Sequence, residues 1–320
     1  MARRATQHHV RECHGDLHLG NICLFEGRPL IFDAIEFNEE FNAIDTLYDI
    51  GFLLMDLAAG NDRRAASILF NRYLFRNPDY DELRVLPFYQ SVRATIRAHV
   101  LAKSASQTTD RTKRDALVAR ARHYFDTANT LLEQAPPRII AIGGYSGTGK
   151  STLANQIAPL IGVPPGAVVL SSDLIRKRLF SVEPETRLAP DLYRPEVSDR
   201  VYRELLACAA RVAGGQASVV VDATFMHAEG RDDIEKLAGS LGIDFQGYWL
   251  VGNTENLAKR VGERPQGASD ATVDVLRQQL DQGPGDVGWR QMDTTDPSID
   301  VRDVICRDLG LADVRRGTGA

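Results

Sequence analysis

The run Gly144-Tyr145-Ser146-Gly147-Thr148-Gly149-Lys150-Ser151 has the residue types and spacing to hold a chain of phosphates. Glycines let backbone N–H groups turn inward around phosphate oxygens. A helix predicted from Thr152 onward adds roughly half a positive charge at its N-terminus. Lys150 can reach β- and γ-phosphates, and the Ser151 hydroxyl can serve Mg²⁺. Gly144 to Thr152 are therefore expected to bind ATP. The pattern GxxxxGK followed by Ser carries weight because a predicted strand, Ile139 to Ile142, precedes it and a helix follows.

Three later positions could complete a phosphoryl transfer. A second predicted strand, Val168 to Leu170, leads into Ser171-Ser172-Asp173-Leu174-Ile175-Arg176. A carboxylate at that strand end can accept a proton from an acceptor hydroxyl, and Arg176 lies one helical turn on. The plainer reading of Asp173 is a helix cap. A third strand, Val219 to Val221, ends at Asp222, placed to organise the Mg²⁺ shell with Ser151. Arg260 and Arg264 share a helical face and could close over the phosphates as a lid.

A second constellation lies near the start. His14-Gly15-Asp16-Leu17-His18-Leu19-Gly20-Asn21 is followed, after a predicted hairpin, by Asp33. Kinase catalytic loops place an Asp, an Asn five residues later and a metal-binding Asp beyond a hairpin. In that order Asp16 takes the acceptor proton, while Asn21 and Asp33 hold Mg²⁺. The spacing His14-x-Asp16-x-His18 also admits a metal site.

The elements that must position these residues fall into two parts. The hairpin reads as Ile22 to Phe25 and Pro29 to Phe32 around Glu26-Gly27-Arg28. From about Asn42 to Glu133 the apolar spacing is helical, with Ile44, Leu47, Tyr48, Gly51, Phe52 and Met55 on one stripe. Pro136-Pro137 cannot continue a helix, so domains of 1–135 and 136–320 are expected. The second reads β-α-β-α, its strands (the fourth being Tyr248 to Val251) short continuous apolar runs. That predicts an α/β fold: a doubly wound parallel sheet with ligands at the strands' carboxyl ends, preceded by a mainly helical domain.

The chain has 320 residues, 43% of them hydrophobic, and a formal net charge of -5. Such composition excludes a fibrous or largely disordered chain. The acidic balance disfavours a nucleic-acid coat, with Arg176-Lys177-Arg178 as one candidate basic cluster for a polynucleotide. No apolar run is long enough to span a membrane. Four scattered cysteines form no CxxC pair, so a reducing cytoplasm is expected.

These motifs resemble two kinase families. The half from about Arg138 to Leu311 resembles AAA-type P-loop small-molecule kinases related to polynucleotide kinase, gluconate kinase, chloramphenicol phosphotransferase and zeta toxins. The shared pattern is the P-loop, Asp173 with Arg176, Asp222, and a lid with Arg260 and Arg264. It implies an ATP- and Mg²⁺-dependent kinase with Asp173 as general base and a small-molecule hydroxyl as acceptor. Residues 10 to 130 resemble the C-terminal lobe of aminoglycoside phosphotransferase-like kinases, whose loop reads HGDxHxxN. Only about 13 residues precede that loop, too few for an upper lobe. Apolar surface left uncovered there predicts poor solubility, dimerisation or contact with the second domain. An acidic pocket for a polycationic ligand could draw on Glu36, Glu39, Glu40 and Asp45. The combined order resembles bifunctional aminoglycoside phosphotransferase/ATP-binding proteins. Two other functions fit the same motifs: an ATP-binding regulatory module whose kinase-like lobe is a partner surface, and a nucleotide or polynucleotide 5′-kinase.

Overall fold

The computed structural model describes residues 2–36, 42–133, 135–263, 269–296 and 298–311. Glu39, Glu40 and Arg264 lie outside the described residues. By contact the chain separates into two units, one of residues 1–70, 82–135 and 163–166, the other of 71–81, 136–162 and 167–320. The expected division at 135/136 left 71–81 with the helical part. They group with the second unit because Tyr80 is buried with its hydroxyl accepting from Arg178 (2.8 Å) and Asp81 pairs with Arg211 (2.8 Å).

In the first unit, α1 (Ala2–Thr6) and β1 (Val10–Glu12) precede the His14–Asn21 loop, and β2 (Ile22–Phe25) pairs antiparallel with β3 (Arg28–Ile31). A short strand missed in the sequence, β4 (Ala43–Asp45), pairs with β1. Helices α2 (Thr46–Ala59), α3 (Arg63–Arg76, grouped with the second unit from residue 71 on), α4 (Leu86–Gln107) and α5 (Arg111–Leu131) follow. Asp45 caps α2 through the Leu47 amide, and Asp110 caps α5 through the Lys113 amide. The core is the meeting of α2, α4 and α5, with Phe52, Met55, Ala94, Ala98, Tyr124, Ala128 and Leu131 in contact. Alanines at 94, 98 and 128 let these helices approach closely. The hairpin is apolar on the outside, with Leu24 78% and Phe25 61% exposed.

In the second unit the predicted strands appear as β5 (Arg138–Gly144), β6 (Val168–Ser171), β7 (Val219–Asp222) and β8 (Asp244–Val251). A fifth, β9 (Arg290–Asp293), completes a parallel sheet of order β6-β7-β5-β8-β9. The sequence Arg-Gln-Met-Asp hides β9, because an edge strand buries only one side chain, here Met292. Ile140 and Ile142 point to one face, where they pack with α6 (Lys150–Ile157) and α12 (Val301–Asp308) through Leu153, Ile157 and Ile305. Helix α8 (Pro195–Gly214) contacts β5, β6 and β7, and α9 (Ala228–Leu241) contacts β8. With helices flanking it, the central strand β5 is buried along nearly its whole length, as its unbroken apolar run requires. Among the described residues, no helix is long and apolar enough to cross a membrane.

Candidate active site

Strand β5 ends at Gly144, and the chain wraps back into α6 at Lys150. Gly144 has φ +135°, and a Cβ there would lie 2.4 Å from the Leu250 carbonyl oxygen. Gly147 has φ +85°, and its Cβ would meet the Leu257 carbonyl at 2.8 Å. Both positions therefore require glycine. The loop curls about one acceptor: the Tyr145 carbonyl receives the Thr148 hydroxyl and the Lys150 ammonium, each at 2.8 Å. Lys150 and Ser151 open α6, so its first amides face the loop's concavity.

Asp222 ends β7, paired in register with Ser171 of β6. It is 3% exposed, and its Oδ2 atom is buried without a hydrogen-bond partner. Burial pushes its carboxyl above the usual range, against the pull of Lys150, Ser151 and Ser171. A buried orphan oxygen beside the P-loop serine fits a place in a Mg²⁺ shell, so Ser151 and Asp222 are residues that could hold that ion. Among the described residues, no group of three or more His, Cys, Asp or Glu is arranged for a metal.

Asp173 lies in the first turn of α7 (Ser172–Leu179). Its carboxyl is also pushed up, by burial first, while a Ser269 hydrogen bond and the charges of Lys150 and Arg176 oppose the shift. The charge of Asp173 adds to the upward push on Asp222, and Lys150 opposes the shift at both carboxyls.

Arg176 is positioned differently from the sequence expectation. Its guanidinium donates to the Leu192 carbonyl (2.7 Å) and Ser198 (3.3 Å) and stacks against Tyr193 (4.6 Å). These contacts tie the segment before α8 to α7, and Nε alone is left without a partner. The basic cluster Arg176-Lys177-Arg178 is likewise turned inward. Lys177 is 0% exposed and donates to the carbonyls of Pro184 (2.8 Å) and Thr186 (2.7 Å) and to Asp270 (3.4 Å). Arg178 donates to Tyr80, Glu204 and Cys208. The expected basic groove for a polynucleotide is therefore not formed by these three residues. On a short helix packed on both sides, the long stems become internal clamps.

Arg260, on α10 (Thr254–Gly262), donates to the Thr294 hydroxyl (3.2 Å) and carbonyl (2.9 Å). That brings it to the wall of a cleft of about 660 Å³ running from the P-loop along α6 to the segment before α12. Thr152, Gln156, Ile299 and Arg302 line it as well. The sequence reading reached Thr152 and Arg260 but missed the wall of Thr294 and residues 298–302, because it follows the polar strand β9.

Two further residues went unread. Ser269 bonds Asp173, and the next residue, Asp270, accepts from the Leu188 amide (2.9 Å), Tyr193 hydroxyl (2.7 Å) and Lys177. They lie in a Gly/Ser/Asp stretch that reads simply as loop.

In the first unit, His14 to Asn21 form a closed polar turn. Asn21 Nδ2 donates to the Asp16 carbonyl (3.0 Å) and carboxylate (3.3 Å). His14 Nε2 donates to the Phe32 carbonyl (2.9 Å) while its Nδ1 accepts from the Asp16 amide (3.3 Å), which fixes the tautomer. His18 Nε2 stands 3.3 Å from Asp16 Oδ2. Below the loop, Asp49 accepts from the amides of His14 (3.1 Å) and Gly15 (2.9 Å). Asp33 is exposed, with φ +62°, between two ties to the loop: Phe32 N to Asn21 O and Ile35 N to His14 O, both 3.0 Å. Asp45 is buried and spent on Arg4, so it is removed from the expected acidic pocket.

A family model described as an AAA domain matches residues 139–283, the span from β5 to the end of α11 (Val273–Gln282). The matched span carries the P-loop and four of the five strands of the parallel sheet in the second unit's α/β fold. Uncharacterized proteins of Mycobacterium tuberculosis and Mycobacterium bovis are 31% identical to the chain over 280 residues, covering 86% of it and 54% of theirs. The chain thus spans about half the length of the curated relatives it matches. Among solved structures, a gluconokinase from Sinorhizobium meliloti covers 55% of the chain and 90% of its own, with TM-score 0.35 and 22% identity. The Mycobacterium tuberculosis APS kinase in complex with AMPPNP and APS covers 55% and 98%, with TM-score 0.38 and 19% identity.

Proposed function

We propose that the second unit transfers the γ-phosphoryl group of ATP to a hydroxyl of a small molecule. The observation that carries this reading is the orphaned, buried Asp222 oxygen beside the P-loop, in register with Ser171, two residues before Asp173. Asp222 and Ser151 would hold Mg²⁺, which when bound offsets charge on the β- and γ-phosphates. Lys150 and the amides at the start of α6 bind the phosphate oxygens. The cleft beside Thr152 and Arg260 has the size of a nucleoside site. Asp173, its carboxyl raised by burial, takes the proton of the acceptor hydroxyl as the new O–P bond forms and the bond to the β–γ bridging oxygen breaks, releasing ADP. Most of the rate comes from positioning and fixed charge.

The test is ADP release from Mg·ATP, alone and with sugars, aminoglycosides, nucleosides and 5′-hydroxyl oligonucleotides. Release stimulated by an acceptor, lost in Lys150→Ala, supports the reading. Asp173→Asn should lower stimulated turnover about 10²–10⁴-fold while ATP still binds. Undiminished turnover in that variant removes Asp173 as the base. Tight ATP binding with no stimulation favours the regulatory module.

A second reading rests on the first unit. The order Asp16, Asn21, Asp33 resembles that of an aminoglycoside phosphotransferase-like catalytic loop, and the Asp16–Asn21 hydrogen bond supports this reading. In that reading Asn21 and Asp33 hold Mg²⁺ and Asp16 receives the acceptor proton. Aminoglycoside-stimulated release that survives Lys150→Ala but not Asp16→Asn would assign turnover to this loop.

A further inference from the structure

The P-loop is built to aim amides at phosphates, yet one of its amides is already occupied. Ser146 N donates to the side-chain carbonyl Oε1 of Gln279 at 2.8 Å. Gln279 sits near the end of α11. The contact is part of a larger seat. Leu257 and Val261 of α10 form a buried cluster with Leu276 of α11, and Tyr145 of the P-loop packs against it. Gly147 lies so close to α10 that a Cβ would come within 2.9 Å of Val261 Cγ2. The arm Tyr145-Ser146-Gly147 is thus fixed on its outer side by two helices, with Gln279 as the one polar clamp. Without that acceptor the Ser146 amide, in a residue only 7% exposed, would lack a partner.

We infer that Gln279 is a positioning residue for nucleotide binding. It takes the Ser146 amide out of competition for phosphate and locks the arm, so that Lys150 and the later loop amides face the phosphates already arranged. The inference rests on the reading of the P-loop as a nucleotide site. It needs no acceptor substrate for its test.

The experiment is calorimetric titration of the full chain with ADP and with ATP, in Mg²⁺, for wild type, Gln279→Met and Gln279→Glu. Methionine keeps the length and apolar stem but offers no oxygen. Glutamate keeps an oxygen at the same reach. If the hydrogen bond positions the loop, Gln279→Met weakens ADP and ATP in parallel by about tenfold, while Gln279→Glu holds ADP within about threefold of wild type. The amide resonance of Ser146 in ¹⁵N-serine-labelled protein should move in the Met variant and stay close to its wild-type position in the Glu variant. A residue that merely packs α11 would give the opposite order, with Met tolerated and Glu harmful, and that order overturns the inference. So does selective tightening of ATP in Gln279→Met, which would make the side chain a plug at the γ-phosphate position. Unchanged affinity in Lys150→Ala would sink the nucleotide site itself, a separate failure.

Discussion

Asp45 of the first unit and Asp222 of the second are both buried carboxylates, and the chain treats them in opposite ways. Asp45 accepts from Arg4 Nη2 (2.8 Å), the Leu47 amide (2.9 Å) and the Tyr89 hydroxyl (3.1 Å). Burial pushes its carboxyl up, but Arg4, the amide and the phenol outweigh that and hold it below the usual range. Asp222 keeps one oxygen without a partner, and burial wins. A fully paired buried charge fixes local structure. An incompletely paired one costs stability until a ligand completes it, which is the behaviour expected of a functional group.

The largest effect should come from breaking the complete pair. Arg4→Met leaves Asp45 buried without its cation and should cost about 3–5 kcal/mol, read from urea unfolding. The pair also sets an acid dependence. Because the folded-state carboxyl lies below its unfolded value, its contribution is present above the usual carboxylate range. It is lost as pH falls through the depressed value. Wild type should therefore lose its advantage over Arg4→Met in acid, and a constant gap down to about pH 2 would contradict the assignment.

The next effect belongs to the incomplete site. Mg·ATP at about 100 times its Kd should stabilise the chain by about 2.7 kcal/mol. Lys150→Ala should abolish the gain in thermal melts, while Asp16→Asn should keep it. The reverse pattern would move the nucleotide to the first unit and overturn the contrast between them.

How much of this was legible follows from how each residue is spent. The P-loop was legible because backbone geometry dictates its glycines: only glycine fits beside the Leu250 carbonyl at 144 or the Leu257 carbonyl at 147. Strands β5 to β8 were legible because burial demands continuous apolar runs. Strand β9 was not, since an edge strand with one buried side chain carries no such run. Charge was the poorest guide. Arg176, Lys177 and Arg178 read as a surface cluster, but their partners come from Leu192, Pro184, Thr186 and Tyr80, which no local pattern announces. Ser269 and Asp270, in a stretch that reads as loop, and Gln279, on a helix, escape local pattern for the same reason: tertiary approach brings them to their partners.

The smallest expected effect is the most pointed test of the contrast. Asp222→Asn keeps the side chain's shape and removes the charge that Asp173 repels. If the carboxylate is held at a cost for the sake of a ligand, the nucleotide- and metal-free variant should be more stable than wild type by about 0.5–2 kcal/mol, the gain that relieving a destabilised functional site commonly gives. The same variant should lose most of the stabilisation that Mg²⁺ adds to ATP binding, because the oxygen left waiting is gone. Urea unfolding with and without Mg·ATP measures both. A variant less stable without ligand would mean that Asp222 is already satisfied through Ser151 and Ser171, and the difference between the two buried carboxylates would then be one of degree.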